Sequence, residues 1–268
     1  MSHTIKVVIL DWAGTTVDYG CFAPVAAFTS AFEHFGVTVT MTQTRAPMGM
    51  QKRAHIQAML ADEQLGATWQ QVHGRSHTQA DIDAIYQQFE PALFEVLPDH
   101  AEPLPGVANT VAQLREQGIL IGSTTGYTAA MMDVVAPLVA RRGYAPDILV
   151  CPDDCGGVGR PFPYMLWRNL ELLHATSINE VLKVGDTAAD MHEAKNAGCC
   201  CVGVLKGSSM LGLTQTELAE TEPQAQAQQL RRAESDFRAA GADFVIDNIS
   251  LLPELLEALN TEGGVNNA

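Results

Sequence analysis

Residues 7–16 read Val7-Val8-Ile9-Leu10-Asp11-Trp12-Ala13-Gly14-Thr15-Thr16. An unbroken apolar run closed by a carboxylate and a glycine turn is the pattern of a strand covered on both faces, as in a parallel sheet. The strand is expected over 7–12, and the carboxylate of Asp11 then stands at its carboxyl end, where doubly wound sheets bind their ligands. Asp11 reads equally as a turn cap, a common use of aspartate.

Working outward, five more apolar runs at 120–124, 148–151, 181–184, 200–205 and 244–246 continue the strand pattern. Helical segments at 107–117, 161–174 and 188–197 separate most of them, and Gly118 and Gly198 close the first and last. Glycine just past a helix end is a stop signal. The alternation implies an α/β fold with a Rossmann-like parallel sheet. Residues 22–100 break it, with helical periodicity at 25–35, 52–65, 78–86 and 85–97 and no convincing strand. That stretch is too long for a loop. The expected organisation is a core of residues 1–20 and 101–268 with an inserted all-helical cap domain of residues 21–100. The Gln- and Ala-rich stretch 208–237 is expected to be helical at the surface, and 261–268 to be a disordered tail.

Apolar residues make up 47% of the 268 and charged residues 18%. Such a chain buries a large core without a disulfide or metal staple. A net charge of −15 argues against nucleic-acid binding. It does not exclude a phosphate site built from local donors and a cation. Among the six cysteines, Cys199, Cys200 and Cys201 are consecutive, and Cys151 and Cys155 lack a second pair at metal-ligand spacing. Free thiols fit a reducing cytoplasm. Residues 1–6 lack a signal-peptide pattern, and no apolar run approaches the roughly 20 residues that span a bilayer.

Two further strand ends carry chemistry. Ser123-Thr124-Thr125-Gly126-Tyr127 offers a hydroxyl and glycine-freed amides, a phosphate cradle, although such clusters end many strands. Gly185-Asp186-Thr187-Ala188-Ala189-Asp190 offers two carboxylates four apart, able to converge on Mg²⁺ or to act as a cap and a solvated acid. In the inserted region, Met48-Gly49-Met50-Gln51-Lys52-Arg53-Ala54-His55 reads as a loop entering a helix. A lysine in a first helical turn feels the positive end of the helix dipole, which disfavours its ammonium form. A neutral amine can attack an aldehyde, and His55 shares its helical face. By sequence alone Lys52 reads first as a surface lysine.

The three strand-end motifs, in this order, resemble the haloacid dehalogenase superfamily. The resemblance implies that Asp11 is a nucleophile, that Thr125 and Gly126 bind phosphate, and that Asp186 and Asp190 stand near one Mg²⁺ per subunit. Arg160, in Gly159-Arg160-Pro161, matches the basic residue of the third motif. Phosphatases of the superfamily place a second aspartate two residues after the nucleophile as general acid. Here that position is Ala13, whose carbonyl can still face the metal. General acid catalysis is worth about 10²–10⁴-fold, so the site needs either another acid or a leaving group that needs none.

The segments Asp11-Trp12-Ala13-Gly14-Thr15-Thr16-Val17-Asp18-Tyr19-Gly20, Met48-Gly49-Met50-Gln51-Lys52-Arg53-Ala54-His55 and Ser123-Thr124-Thr125-Gly126-Tyr127-Thr128 are similar to the phosphonoacetaldehyde hydrolase family. This implies cleavage of a carbon–phosphorus bond through an imine on Lys52 and an aspartyl phosphate on Asp11. It places Cys21, Met48, His55 and Tyr127 around a small phosphonate, and it implies a homodimer. Cys21 and Met48 read otherwise as hinge packing. The rival readings are another phosphatase or phosphomutase of the superfamily, or a binding protein without catalysis on the same fold.

Overall fold

The structure is a computed structural model and describes residues 4–261. Six strands form one sheet: β1 (Val7–Leu10), β2 (Leu120–Thr124), β3 (Ile148–Val150), β4 (Val181–Gly185), β5 (Cys200–Val204) and β6 (Phe244–Ile246). Their order is β3-β2-β1-β4-β5-β6, and every neighbouring pair is parallel. The chain runs one way from β1 to β3 and the other way from β4 to β6. The switch point between β1 and β4 is where such sheets open a crevice.

Between β1 and α6 (Val107–Glu116), the helix that precedes β2, lie α1 (Phe22–His34), α2 (Met41–Arg45), α3 (Lys52–Ala61), α4 (Glu63–His73) and α5 (Gln79–Val96), and no strand. The remaining helices are α7 (Ala129–Ala140), α8 (Tyr164–Leu172), α9 (Ala188–Ala197), α10 (Gln215–Glu220), α11 (Pro223–Ala239) and α12 (Leu252–Thr261). The two-residue period of β1 sorts its side chains. Val7 and Ile9 pack with Leu166, Met191, Ala194 and Phe237 of α8, α9 and α11. Val8 and Leu10 pack with Val107, Leu114, Met131 and Leu256 of α6, α7 and α12. That second cluster continues into the helical insertion, where Phe28 of α1 stacks on Phe89 of α5 at 4.2 Å.

The two crossings into and out of the insertion run side by side. Leu104 N donates to Thr16 O at 2.8 Å, and Val17 bridges Pro103. Asp18 caps α1 through Phe22 N and Ala23 N and pairs with His100 Nδ1 at 2.8 Å. That carboxylate raises the His100 pKa above its ordinary value.

Several expectations shift. The first strand ends at Leu10, so Asp11 and Trp12 stand beyond it. The expected helix 52–65 breaks at Asp62, whose ψ of 130° is extended and whose side chain caps α4 at Leu65 N. The expected helices 78–86 and 85–97 are one helix, α5, which carries Pro91 inside. The helical content expected over 208–237 is carried by two helices, α10 and α11. Thr261 closes α12 and does not open a tail, while 262–268 and 1–3 lie outside the described residues. No described helix is long and apolar enough to cross a membrane.

Candidate active site

The strand register gathers the motifs. Leu10 lies opposite Ser123 on one side and Val184 on the other, so Asp11, Thr125 and Asp186 leave the sheet at one edge. Asp11, Asp186 and Asp190 are buried and each offers an oxygen within 4.8 Å of the others. Among the described residues they are the only cluster of His, Cys, Asp and Glu able to converge on an ion. Cys151 and Cys155 form none, and all six thiols are free.

The local chain is shaped to bring these carboxylates together. Gly14 has φ +90°, and a Cβ there would lie 2.1 Å from Asp186 Oδ2. A Cβ on Gly185 would lie 2.2 Å from Asp190 Cγ. Asp190 forms a capping box with Thr187 at the start of α9, an arrangement that satisfies two orphan backbone donors. It also pairs with Lys183 Nζ at 2.9 Å and Arg160 Nη2 at 3.2 Å. Burial would raise its pKa, but these two cations and the Thr187 bonds hold it below the usual carboxylate value.

Asp186 is different. Oδ2 accepts from Ser209 N at 2.8 Å, while Oδ1 is buried with no hydrogen-bond partner. Burial, then Asp11 and Asp190, push its pKa well above the usual value. A bare, buried, like-charged oxygen is the kind of group a hard cation satisfies. Four buried carboxylates, Asp11, Asp186, Asp190 and Glu193, face two buried partner cations, Arg160 and Lys183. The two uncompensated negative charges match a divalent ion. The Ala13 carbonyl accepts no hydrogen bond among the described residues, so it remains available to the same ion.

Arg160 is buried and donates Nη2 to Asp11 Oδ1 at 2.6 Å and to Thr124 Oγ1 at 2.7 Å. Nε donates to Glu193 Oε2 at 2.9 Å, and Nη1 to Gly49 O of the insertion at 3.3 Å. Burial alone would lower its pKa, but Asp11, Asp190 and Glu193 raise it. Thr125 Oγ1 accepts from Tyr127 N at 3.0 Å, which leaves its proton free for a ligand oxygen. A Cβ on Gly126 would come within 2.6 Å of Met50 O. Glycine is therefore required where the loop after β2 meets the loop that leads to Lys52.

Lys52 opens α3 and is only 3% exposed, which overturns the surface reading. Its Nζ lies 4.8 Å above the Tyr127 ring centroid, and no described carboxylate lies within ion-pairing distance. Burial lowers its pKa, Cys21, Asp11 and Asp18 oppose the shift, and Arg160 adds to it. The core's catalytic candidates and this lysine thus share one electrostatic neighbourhood.

His55 is fully buried, stacks on Phe28 at 4.0 Å and bonds Thr44 O through Nε2 at 2.8 Å. A carbonyl only accepts, so the proton is assigned to Nε2. Nδ1 has no partner. Burial and the Lys52 charge depress the His55 pKa well below its ordinary value, which keeps it neutral. Cys21, Met48 and Val25 form a small apolar cluster against Ala13. Burial, then Asp18 and Asp186, push the Cys21 thiol well up. Burial, then Asp18, does the same to the Tyr127 phenol. Sequence reasoning singled out none of Thr124, Lys183, Ser209, Gly49 and Glu193 as site residues.

Residues 5–198 match the model of the haloacid dehalogenase-like hydrolases. The chain is 46% identical over 258 residues to a phosphonoacetaldehyde hydrolase of Lysinibacillus sphaericus (strain C3-41), covering 96% of each. It is 43% identical to a bifunctional phosphonoacetaldehyde hydrolase/aminoethylphosphonate transaminase of Clostridioides difficile (strain 630), covering 96% of this chain and 40% of that one. Among solved structures, a phosphonoacetaldehyde hydrolase-like protein from Oleispira antarctica superposes with a TM-score of 0.93 at 32% identity, covering 97% of this chain and 94% of that one.

Proposed function

The chain belongs to the haloacid dehalogenase-like hydrolases, among the phosphonoacetaldehyde hydrolases, and we propose that it hydrolyses phosphonoacetaldehyde to acetaldehyde and phosphate. The observation that carries this reading is Lys52: a buried amine over an aromatic face, with a depressed pKa and no described carboxylate paired to it.

Cleaving a carbon–phosphorus bond directly would leave a carbanion. The neutral Lys52 amine attacks the aldehyde carbon, water departs, and a protonated imine forms. Asp11 attacks phosphorus, and the electrons of the breaking bond form the C=C of an enamine as the imine nitrogen accepts the displaced pair. No acid at position 13 is needed, because the leaving group is already activated from the other side. Protonation of the enamine and hydrolysis of the imine return acetaldehyde and Lys52. Water hydrolyses the aspartyl phosphate and frees Asp11. The Tyr127 face favours the cationic imine, by about 0.5–2 kcal/mol. His55, neutral and with Nδ1 free, is suited to the proton transfers of imine formation. Thr125, the Gly126 amide and Arg160 hold phosphoryl oxygens and offset their charge.

Asp11, Asp186 and the Ala13 carbonyl would hold Mg²⁺, with Asp190 supporting the site through Arg160, Lys183 and Thr187. When bound, the ion neutralises charge on the transferring group. We further propose that residues 21–100 act as a cap that closes on the core, since Arg160 and Gly126 meet the loop before Lys52.

The apolar face of α1 is consumed inside the chain, so that helix offers little surface for the proposed homodimer. The exposed aromatics Phe162, Tyr164 and Trp167 of the α8 region are a better surface for it. A cytoplasmic location is proposed from the free thiols. The direct test is phosphate release with phosphonoacetaldehyde and with simple phosphate esters, before and after chelation. Rapid, chelator-sensitive release from the phosphonate alone supports the reading, and equal release from esters rejects it.

A further inference from the structure

Behind the phosphoryl site lies a buried group that the chemistry above does not use. Glu193 of α9 is fully buried, and one oxygen, Oε2, gathers three donors. These are Arg160 Nε at 2.9 Å, Thr124 Oγ1 at 3.3 Å and Lys183 Nζ at 3.5 Å. Thr124 Oγ1 in turn accepts from Lys183 at 2.8 Å and from Arg160 Nη2 at 2.7 Å. Its single proton and both lone pairs are therefore engaged, and strands β2 and β4 and helix α9 are tied to one guanidinium.

The contact that matters is the one to Asp11. An arginine beside a carboxylate prefers two parallel N–H···O bonds. A two-pronged pair would occupy both Asp11 oxygens, one of which must attack phosphorus. Here the guanidinium donates to one oxygen only, Oδ1 through Nη2. Either neighbouring donor could complete a fork with Nη2: Nη1 is given to Gly49 O at 3.3 Å, and Nε is turned to Glu193. A rigid planar fork held at Nε and at Nη2 has no remaining rotational freedom.

We infer that Glu193, anchored by Lys183 and Thr124, is a positioning residue that keeps Arg160 from closing a two-pronged ion pair on the Asp11 nucleophile. The inference deepens the proposed reaction and rests on it, because it assigns Glu193 to the phosphoryl half of the cycle alone. Imine formation on Lys52 should proceed without it.

The test compares two readouts in the intact protein: borohydride trapping of the Lys52 imine with phosphonoacetaldehyde, and phosphate release. In Glu193→Ala the trapping rate should stay near that of the unaltered protein, while kcat for phosphate falls about 10²-fold, the scale of a misplaced catalytic group. KM should change little. Glu193→Gln should restore most of kcat, since an amide oxygen still accepts from Nε.

Removing a single buried charge can unfold the protein, so the double variant Lys183→Met with Glu193→Leu is the second arm. It deletes one charge of each sign and fills the space, so Tm should recover while kcat stays low. A double variant with near-normal phosphate release would make the role merely structural and overturn the inference. So would a Glu193→Gln variant as impaired as Glu193→Ala, or Glu193→Ala losing trapping and release together. Failure of the imine reading is distinguishable, because it appears as no adduct in the unaltered protein.

Discussion

Replacing Asp186 with asparagine should stabilise the metal-free protein while abolishing its response to Mg²⁺. Asp186, Asp11 and Asp190 offer oxygens within 4.8 Å of one another. Two unit charges at that distance repel by about 3.5 kcal/mol at an effective dielectric of about 20. Asp11 and Asp190 are compensated by Arg160 and Lys183, whereas Asp186 receives one backbone donor. Retention of a proton on Asp186 relieves part of the repulsion, so the substitution should recover about 2–3 kcal/mol, less than the full repulsion. For a chain of this size that raises the metal-free Tm by about 5–10 °C. The raised folded pKa of Asp186 gives the sign with pH. The folded carboxyl holds its proton to higher pH than the unfolded one, so this contribution is lost as pH rises and the asparagine variant lacks that slope. Mg²⁺ at a hundredfold excess over Kd should stabilise the unaltered protein by about 2.7 kcal/mol and the variant not at all. Calorimetric melts in chelator and in Mg²⁺ read both effects. A variant that melts lower without metal, or that keeps the full Mg²⁺ shift, refutes this reasoning.

Lys52→Met should raise Tm, because a buried amine is replaced by an apolar chain of similar length, and should abolish phosphate release by about 10⁴-fold or more. The depressed folded pKa of Lys52 means that the folded state binds fewer protons than the unfolded state between that value and about 10.4. Stability in the unaltered protein should therefore rise with pH across this window, and activity with it, while Lys52→Met loses the slope. Asp11→Asn should fold normally yet release no phosphate under single-turnover conditions, and near-normal turnover would remove Asp11 as nucleophile. Trp167→Ser should lower the mass seen by light scattering at micromolar concentration from dimer to monomer, and an unchanged mass would move the proposed interface elsewhere.

The sheet was legible because its strands are covered on both faces, so their apolar runs stand out between glycine stops. Helix α7 escaped notice because Ala129–Ala140 is apolar nearly all round and contains Pro137, which hides the period of 3.6. The break at Asp62 escaped because an aspartate inside a helical run looks the same whether it is exposed or caps a new helix. Of the site, Asp11, Asp186 and Asp190 could be read as strand-end chemistry, and Arg160 only through the family resemblance. Lys52 could not, since its burial is set by where the insertion folds back onto the core. Lys183 and Glu193 did leave traces: a lysine inside an apolar strand needs a buried partner, and Glu193 lies three residues after Asp190, on one helix face. The pairing of Asp18 with His100, 82 residues apart, left none.

The central claim is that Lys52 is the electron sink. Borohydride added with phosphonoacetaldehyde should inactivate the protein and leave a single two-carbon-derived mass adduct, which peptide mapping places on Lys52. An adduct on Lys183, Lys195 or Lys206, or full activity with no adduct at all, would contradict it.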